Sequence, residues 1–174
     1  MAIKQIKLTV RAENLVGNTN NVTIQIDGTT WFLGSVTPTG TDIEQSPDPT
    51  GPFTTIEFDY DAQVQIGTDT SNTVTKPFSL AVVGGKIIIE TIQCNYAVSW
   101  IPGPPSVPIA GTATDWKPCQ LASQPLWNGQ ADTTRYDWPN TDDSAGEILV
   151  EPNETVTFDL NIYKYNDVSP LPTS

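Results

Sequence analysis

Three carboxylates stand two residues apart, at Glu57, Asp59 and Asp61. Residues two apart on a β-strand share a face, which sets such carboxylates roughly 6 to 7 Å from one another. Pairs of Asp or Glu at about that separation act on glycosidic bonds. A second cluster of oxygen atoms, Asn140, Asp142 and Asp143, is the densest in the chain and suits a hard cation. It lacks the spacing of an EF-hand, so no metal ligand is assigned, and a structural calcium ion is the one cofactor the acidic loops admit. Much other chemistry is closed. The chain has no histidine, which removes Ser-His-Asp and Cys-His nucleophiles, imidazole bases and His-containing metal sites. Its two cysteines cannot make a Cys₄ zinc site. Gly84-Gly85-Lys86 is no phosphate loop, because Leu80 and Ile87 stand where the motif needs Gly and Ser or Thr.

The run Glu57-Phe58-Asp59-Tyr60-Asp61 resembles the acidic strand of β-jelly-roll glycosidases of the laminarinase and lichenase type. That resemblance implies a nucleophile at Glu57, a helper at Asp59 and an acid at Asp61, where the family carries Glu. A solvent-facing polar stripe opposite Ile56, Phe58 and Tyr60 accounts for the same residues without catalysis, and a non-enzymatic chain is the leading expectation. Trp100 to Gly146 is different in kind, with seven prolines and four of the five tryptophans and no sustained period. Loops avoid large aromatics unless these pack beneath them or meet a ligand. Trp116, Trp127, Arg135, Tyr136 and Trp138 are therefore the candidate ligand or interface residues. Packing of Trp100, Trp116 and Trp127 under the excursion is the alternative.

These residues sit in a chain whose composition is that of short strands and many turns: 37% apolar, 16% charged, with 12 Gly and 15 Pro. At 174 residues it fits a single domain, 1–174, able to bury a core without metals. The net charge is −12, with no basic residue between Arg11 and Lys76. Such a field repels phosphate backbones and anionic head groups, which argues against nucleic acid and membrane surfaces as partners. No run of eighteen apolar residues is present, and Met1-Ala2-Ile3-Lys4-Gln5 lacks the apolar core of a signal peptide. Either the chain is used without export or Met1 replaces a removed signal; an extracellular or virion surface is the expected location. Cys94 and Cys119 are a candidate disulfide, which the chain-entropy estimate values at roughly 3.5 kcal/mol.

Period-two alternation predicts about eight strands and no helix. Ile6–Arg11 opens the series. Val22–Ile26 and Thr29–Leu33 flank Asp27-Gly28, a dipeptide suited to the positive φ angles of a tight hairpin. Phe53–Ile66 has the longest clean alternation. Thr73–Val83 and Lys86–Trp100 read as a second hairpin about Gly84-Gly85, with Pro77 marking an edge or a bulge. Ile87-Ile88-Ile89, apolar on both faces, predicts a central strand. Glu147–Val150 and Val156–Ile162 close the series, before a proline-containing tail at 166–174. Short strands with long connections and no intervening helices predict an antiparallel β-sandwich or jelly-roll-like fold with one long Trp/Pro-rich insertion.

The leading functional expectation is a structural β-sandwich that assembles as a homo-oligomer or docks to another protein, with Lys4–Arg11 and the tail after Tyr165 crossing between subunits. The alternative is a carbohydrate-binding module taking a glycan on the Trp-rich loop, and the third reading is a short jelly-roll glycosidase.

Overall fold

A computed structural model describes residues 4–14, 20–44, 52–60, 73–95, 100–101, 107–108, 116–137 and 147–163. All regular structure among them is strand. Eight strands have four residues or more, and they are the eight that the alternation predicts: β1 (Lys4–Ala12), β2 (Asn20–Ile26), β3 (Thr29–Ser35), β4 (Thr54–Tyr60), β5 (Thr73–Gly84), β6 (Ile87–Asn95), and, after the excursion, β14 (Glu147–Val150) and β15 (Thr155–Tyr163). Between β6 and β14 lie short pieces: β7 (Trp100–Ile101), β8 (Val107–Pro108), β9 (Trp116–Pro118), β10 (Gln120–Leu121), β11 (Leu126–Trp127), β12 (Gln130–Ala131) and β13 (Tyr136–Asp137).

Two antiparallel sheets form a sandwich, as the sequence predicts. One runs β13-β14-β6-β1-β4, with β9 also on β6; the other runs β12-β11-β15-β5-β2-β3, with β10 also on β15. The alternation decides which side chains enter. Val22, Ile24 and Ile26 of β2, Phe78, Leu80 and Val82 of β5, and Val156, Phe158 and Leu160 of β15 meet Ile6, Leu8 and Val10 of β1 and Ile56 and Phe58 of β4 in one buried cluster. Burial of these aliphatic and aromatic faces is the main force holding the sheets together. Ile87, Ile88 and Ile89 are all buried in β6, which lies between β1 and β14 as their composition predicts.

The Asp27-Gly28 hairpin forms as expected, both residues adopting positive φ (53° and 76°), the combination of a type I′ turn. The second expected hairpin does not. β5 belongs to the sheet of β2 and β15, whereas β6 belongs to the sheet of β1 and β14, so Gly84-Gly85 is a corner between layers. Gly84 takes φ 108° there, and a Cβ on Gly85 would lie 2.1 Å from Asn20 Oδ1 and 2.9 Å from the Glu13 carbonyl oxygen. Close backbone approach at the corner, rather than a tight turn, is what selects the glycine pair. Pro77 is not on an edge strand, since β5 pairs with both β15 and β2. Its carbonyl accepts from the Asp27 N–H at 2.8 Å, so the N–H that proline lacks faces the hairpin tip instead of a ladder partner.

β1 is likewise internal, bonded to β4 on one side and β6 on the other. Both of its edges are satisfied within the chain, which removes Lys4–Arg11 as a strand that crosses to another subunit. The tail after Tyr165 lies outside the described residues.

Candidate functional site

The described part of the excursion does not form a displayed loop. Five of its short strands extend the two sheets, β9 along β6, β10 and β11 along β15, β12 along β11, and β13 along β14, while β7 and β8 pair with each other. Trp127 shows why. Its indole is 2% exposed, donates its N–H to the Leu149 carbonyl at 2.6 Å, and stacks at an angle against Tyr136 with centroids 6.2 Å apart. Arg135 lies with its guanidinium 4.8 Å from the Trp127 ring centre and pairs with Glu154. That pairing holds the Glu154 carboxyl below its usual range and raises Arg135 further. Trp127, Arg135 and Tyr136, three of the candidate ligand residues, are therefore brought together at the core, with the Trp127 N–H and the Arg135 guanidinium already bonded within the chain. Trp116 is elsewhere, half-buried on β9, with Lys7 Nζ 4.3 Å above its ring. Trp138 and the calcium candidates Asn140, Asp142 and Asp143 lie outside the described residues. Among the described residues no His, Cys, Asp or Glu cluster could hold a metal ion.

The acidic strand is also not a cleft. Glu57 and Asp59 lie on the exposed face of β4, which ends its sheet, with Lys7 opposite Glu57 and Gln5 opposite Asp59. Gln5 donates to Asp59 at 3.2 Å. Asp61 lies outside the described residues. Cys94 and Cys119, the candidate disulfide, are buried and not covalently joined, and the structure brings them onto neighbouring segments. Cys94 faces Lys117 in register, and the Cys119 N–H donates to the Ile92 carbonyl at 2.7 Å, so the two cysteines sit diagonally across the pair.

One cavity of about 490 Å³ opens on the outer face of the β5–β15 sheet. Its origin is local. β10 pairs Leu121 with Leu160, and β11 pairs Leu126 with Thr157, so four residues, Ala122 to Pro125, span only Phe158 and Asp159 of β15. The surplus chain bows outward, as it does at a bulge. Ser123 Oγ fastens the bow by accepting from the Asp159 N–H at 2.7 Å, and the Ala122 N–H donates to the Asp159 carbonyl, also at 2.7 Å.

The bow makes one wall, with Gln124 and Leu126 beside the opening. The floor is a row of outward residues in register across three strands: Gln25 opposite Ser79, and Ser79 opposite Thr157. Asp159 and Pro77, opposite one another, continue it towards Gly28. The lining thus offers two amides, three hydroxyls and one carboxylate, broken by the apolar surfaces of Leu126 and Pro77, and it contains no Lys or Arg. Such a set can donate to and accept from a neutral ligand rich in hydroxyls, while a single carboxylate supplies neither the acid and base pair nor the acid and nucleophile pair that glycoside hydrolysis needs.

Sequence reasoning missed this groove because no lining residue is unusual. The strand periods place Gln25, Ser79 and Thr157 outward, but only the register of β10 and β11 on β15 reveals the bow. Two further polar atoms stand out on the other side of the molecule. Trp31 Nε1 and Tyr60 Oη are buried with no hydrogen-bond partner, in rings whose centroids are 4.9 Å apart. Burial, helped by the charge of Asp27, pushes the Tyr60 hydroxyl up to about 12.

No protein-family model matches this sequence, and no curated protein matches it. Among solved structures, the chain is similar to one described as vCBM60 in complex with galactobiose, at 13% identity and a TM-score of 0.40, covering 91% of this chain and 99% of that one.

Proposed function

We propose that this chain is a non-enzymatic β-sandwich that binds a neutral glycan in the groove over β2, β5 and β15. The observation that carries the reading is the groove's lining: Gln25, Ser79, Ser123, Gln124 and Thr157 present amides and hydroxyls, Asp159 accepts, and no cation is present to select an anion. Its volume of about 490 Å³ lies within the range of small-ligand sites. Sugar hydroxyls bond to amides and carboxylates, and the C–H faces of a sugar ring rest on apolar surface such as Leu126 and Pro77. Glycan binding thus moves from second place to first, and its site moves from the tryptophans to the sheet face.

A glycan array with the wild-type protein, followed by calorimetry on variants, tests the reading. Ser79→Tyr fills the floor from the solvent side without entering the core, and Gln25→Ala removes an amide. Each is expected to weaken binding roughly tenfold or more. Glu57→Gln should leave it unchanged. Loss of binding on Trp138→Ala, with full binding by Ser79→Tyr, would place the site on the excursion and overturn this assignment. Hydrolysis that disappears on Glu57→Gln would favour the glycosidase.

A further inference from the structure

The described strands of the excursion lie on one side of the sandwich, and among the described residues β3 and β4 end the two sheets on the other. The two terminal strands differ in charge. β4 carries Glu57 and Asp59, so two copies meeting there would oppose four carboxylates. β3, Thr29-Thr30-Trp31-Phe32-Leu33-Gly34-Ser35, carries no charge and no proline, in a chain of net charge −12. Charge and proline are the usual protections of a sheet edge, and β3 has neither. Its one protection is a bulge: Gln25 pairs with Thr30 and Ile24 with Phe32, leaving Trp31 as the extra residue near the strand's start.

The free main-chain groups can be located by parity. The Val36 N–H donates to the Asn20 carbonyl at 2.7 Å. In an antiparallel ladder, bonding alternates along the strand, so Gly34 and Phe32 bond to β2 while Ser35 and Leu33 point their N–H and C=O groups away from it. Leu33 is also the most exposed large apolar side chain among the described residues, at 76%. A main-chain donor and acceptor with no partner among the described residues and an exposed leucine thus coincide at one residue on an uncharged edge.

We infer that β3 pairs antiparallel with β3 of a second copy of this chain, with Leu33 of each copy opposite Leu33 of the other. The pairing joins two six-strand paths into one continuous sheet and covers both leucines. Residues directly opposite in an antiparallel pair project to the same side, so the two-fold axis stands perpendicular to the sheet. The grooves of both copies then open on the same face. Resting on the glycan reading above, this makes the dimer bivalent, with avidity for a ligand that repeats along a chain or a surface. The pairing itself does not depend on that reading.

Sedimentation of the full chain without any glycan tests the pairing. The wild-type protein should dimerise reversibly, and Leu33→Lys and Leu33→Glu should each raise the dissociation constant roughly tenfold or more by setting like charges face to face. Leu33→Lys lowers the net negative charge, so loss of its dimer cannot come from overall repulsion. An equimolar mixture of the two variants should recover dimer, because Lys then faces Glu; Glu57→Lys should change nothing. Near-UV circular dichroism confirms that each variant is folded, as expected at a site 76% exposed. A wild-type monomer at the highest soluble concentration, dimers that survive both charged variants, or a mixture that stays monomeric would each overturn the pairing. A dimer that binds no glycan would count against the groove alone. Glycan binding by a strict monomer would count against β3 alone.

Discussion

Arg11 is 2% exposed and is the most demanding side chain in the structure. Its Nε bonds Glu90 at 2.5 Å, and its terminal nitrogens reach the Ile43 carbonyl and Glu147. One guanidinium thus ties β1, β6, β14 and the segment after β3. Removing one partner of a buried pair strands the other, so Arg11→Met should cost about 3 kcal/mol or more at neutral pH by urea unfolding. Part of that should return in acid, where Glu90 protonates. Glu90 and Glu154 have acidities shifted in opposite directions. Burial raises Glu90, against the hydrogen bond from Arg11, so the folded chain takes up that proton before the unfolded chain does. Its contribution is present in acid and is lost as pH rises through the raised value. The hydrogen bond from Arg135 lowers Glu154, so its contribution is present above the ordinary carboxylate range and is lost as pH falls through the depressed value. Glu154→Gln should therefore flatten the acid limb of stability against pH, and Glu90→Gln the limb above it. Equal slopes in wild type and variant would contradict either assignment. Trp127→Ala should cost about 3–5 kcal/mol in the same assay, as for a large aromatic in a core. A change near zero would return Trp127 to the candidate ligand surface.

At the scale of elements, the eight long strands were legible because alternation is a local signal and burial obeys it. What alternation cannot report is the sheet to which a strand belongs. Gly84-Gly85 satisfies the composition of a hairpin turn and serves as a corner, because β5 and β6 each find better partners in opposite layers. Gly85→Ala separates the two meanings. A hairpin turn with open space around it would accept the methyl group, whereas a Cβ 2.1 Å from Asn20 Oδ1 must push Asn20 from its buried place. The expected loss is about 1–3 kcal/mol in thermal or urea unfolding, the cost of overpacking. The excursion was legible as aromatic and structured, but its strands of two or three residues are too short to show a period. Trp127 in the core and Tyr136 packed against it anchor β11 on β15 and β13 on β14, a tertiary effect. Cys94 and Cys119 join the same stitching, and oxidation is expected to link β6 to the segment after β9. Non-reducing peptide mapping reads that as one cross-linked pair, and two alkylated thiols from oxidised, denatured protein would count against it.

The whole molecule is a sandwich with two unlike sides and two unlike faces. Among the described residues, strands of the excursion lie on one side, β3 and β4 end the sheets on the other, and the groove opens on the outer face of the sheet that β3 terminates. The net charge of −12 and the carboxylates of β4 oppose self-association there, whereas β3 carries no charge. The net charge also disfavours anionic ligands before they reach the lining, which agrees with a neutral ligand. Neutral-glycan binding depends on the groove, so the decisive measurement is a glycan titration of the ¹⁵N-labelled protein followed by amide chemical shifts. The largest shifts are expected on Gln25, Ser79, Ser123, Gln124, Thr157 and Asp159. Shifts centred on Trp116 or the far side of the excursion, with those six amides unmoved, would contradict it.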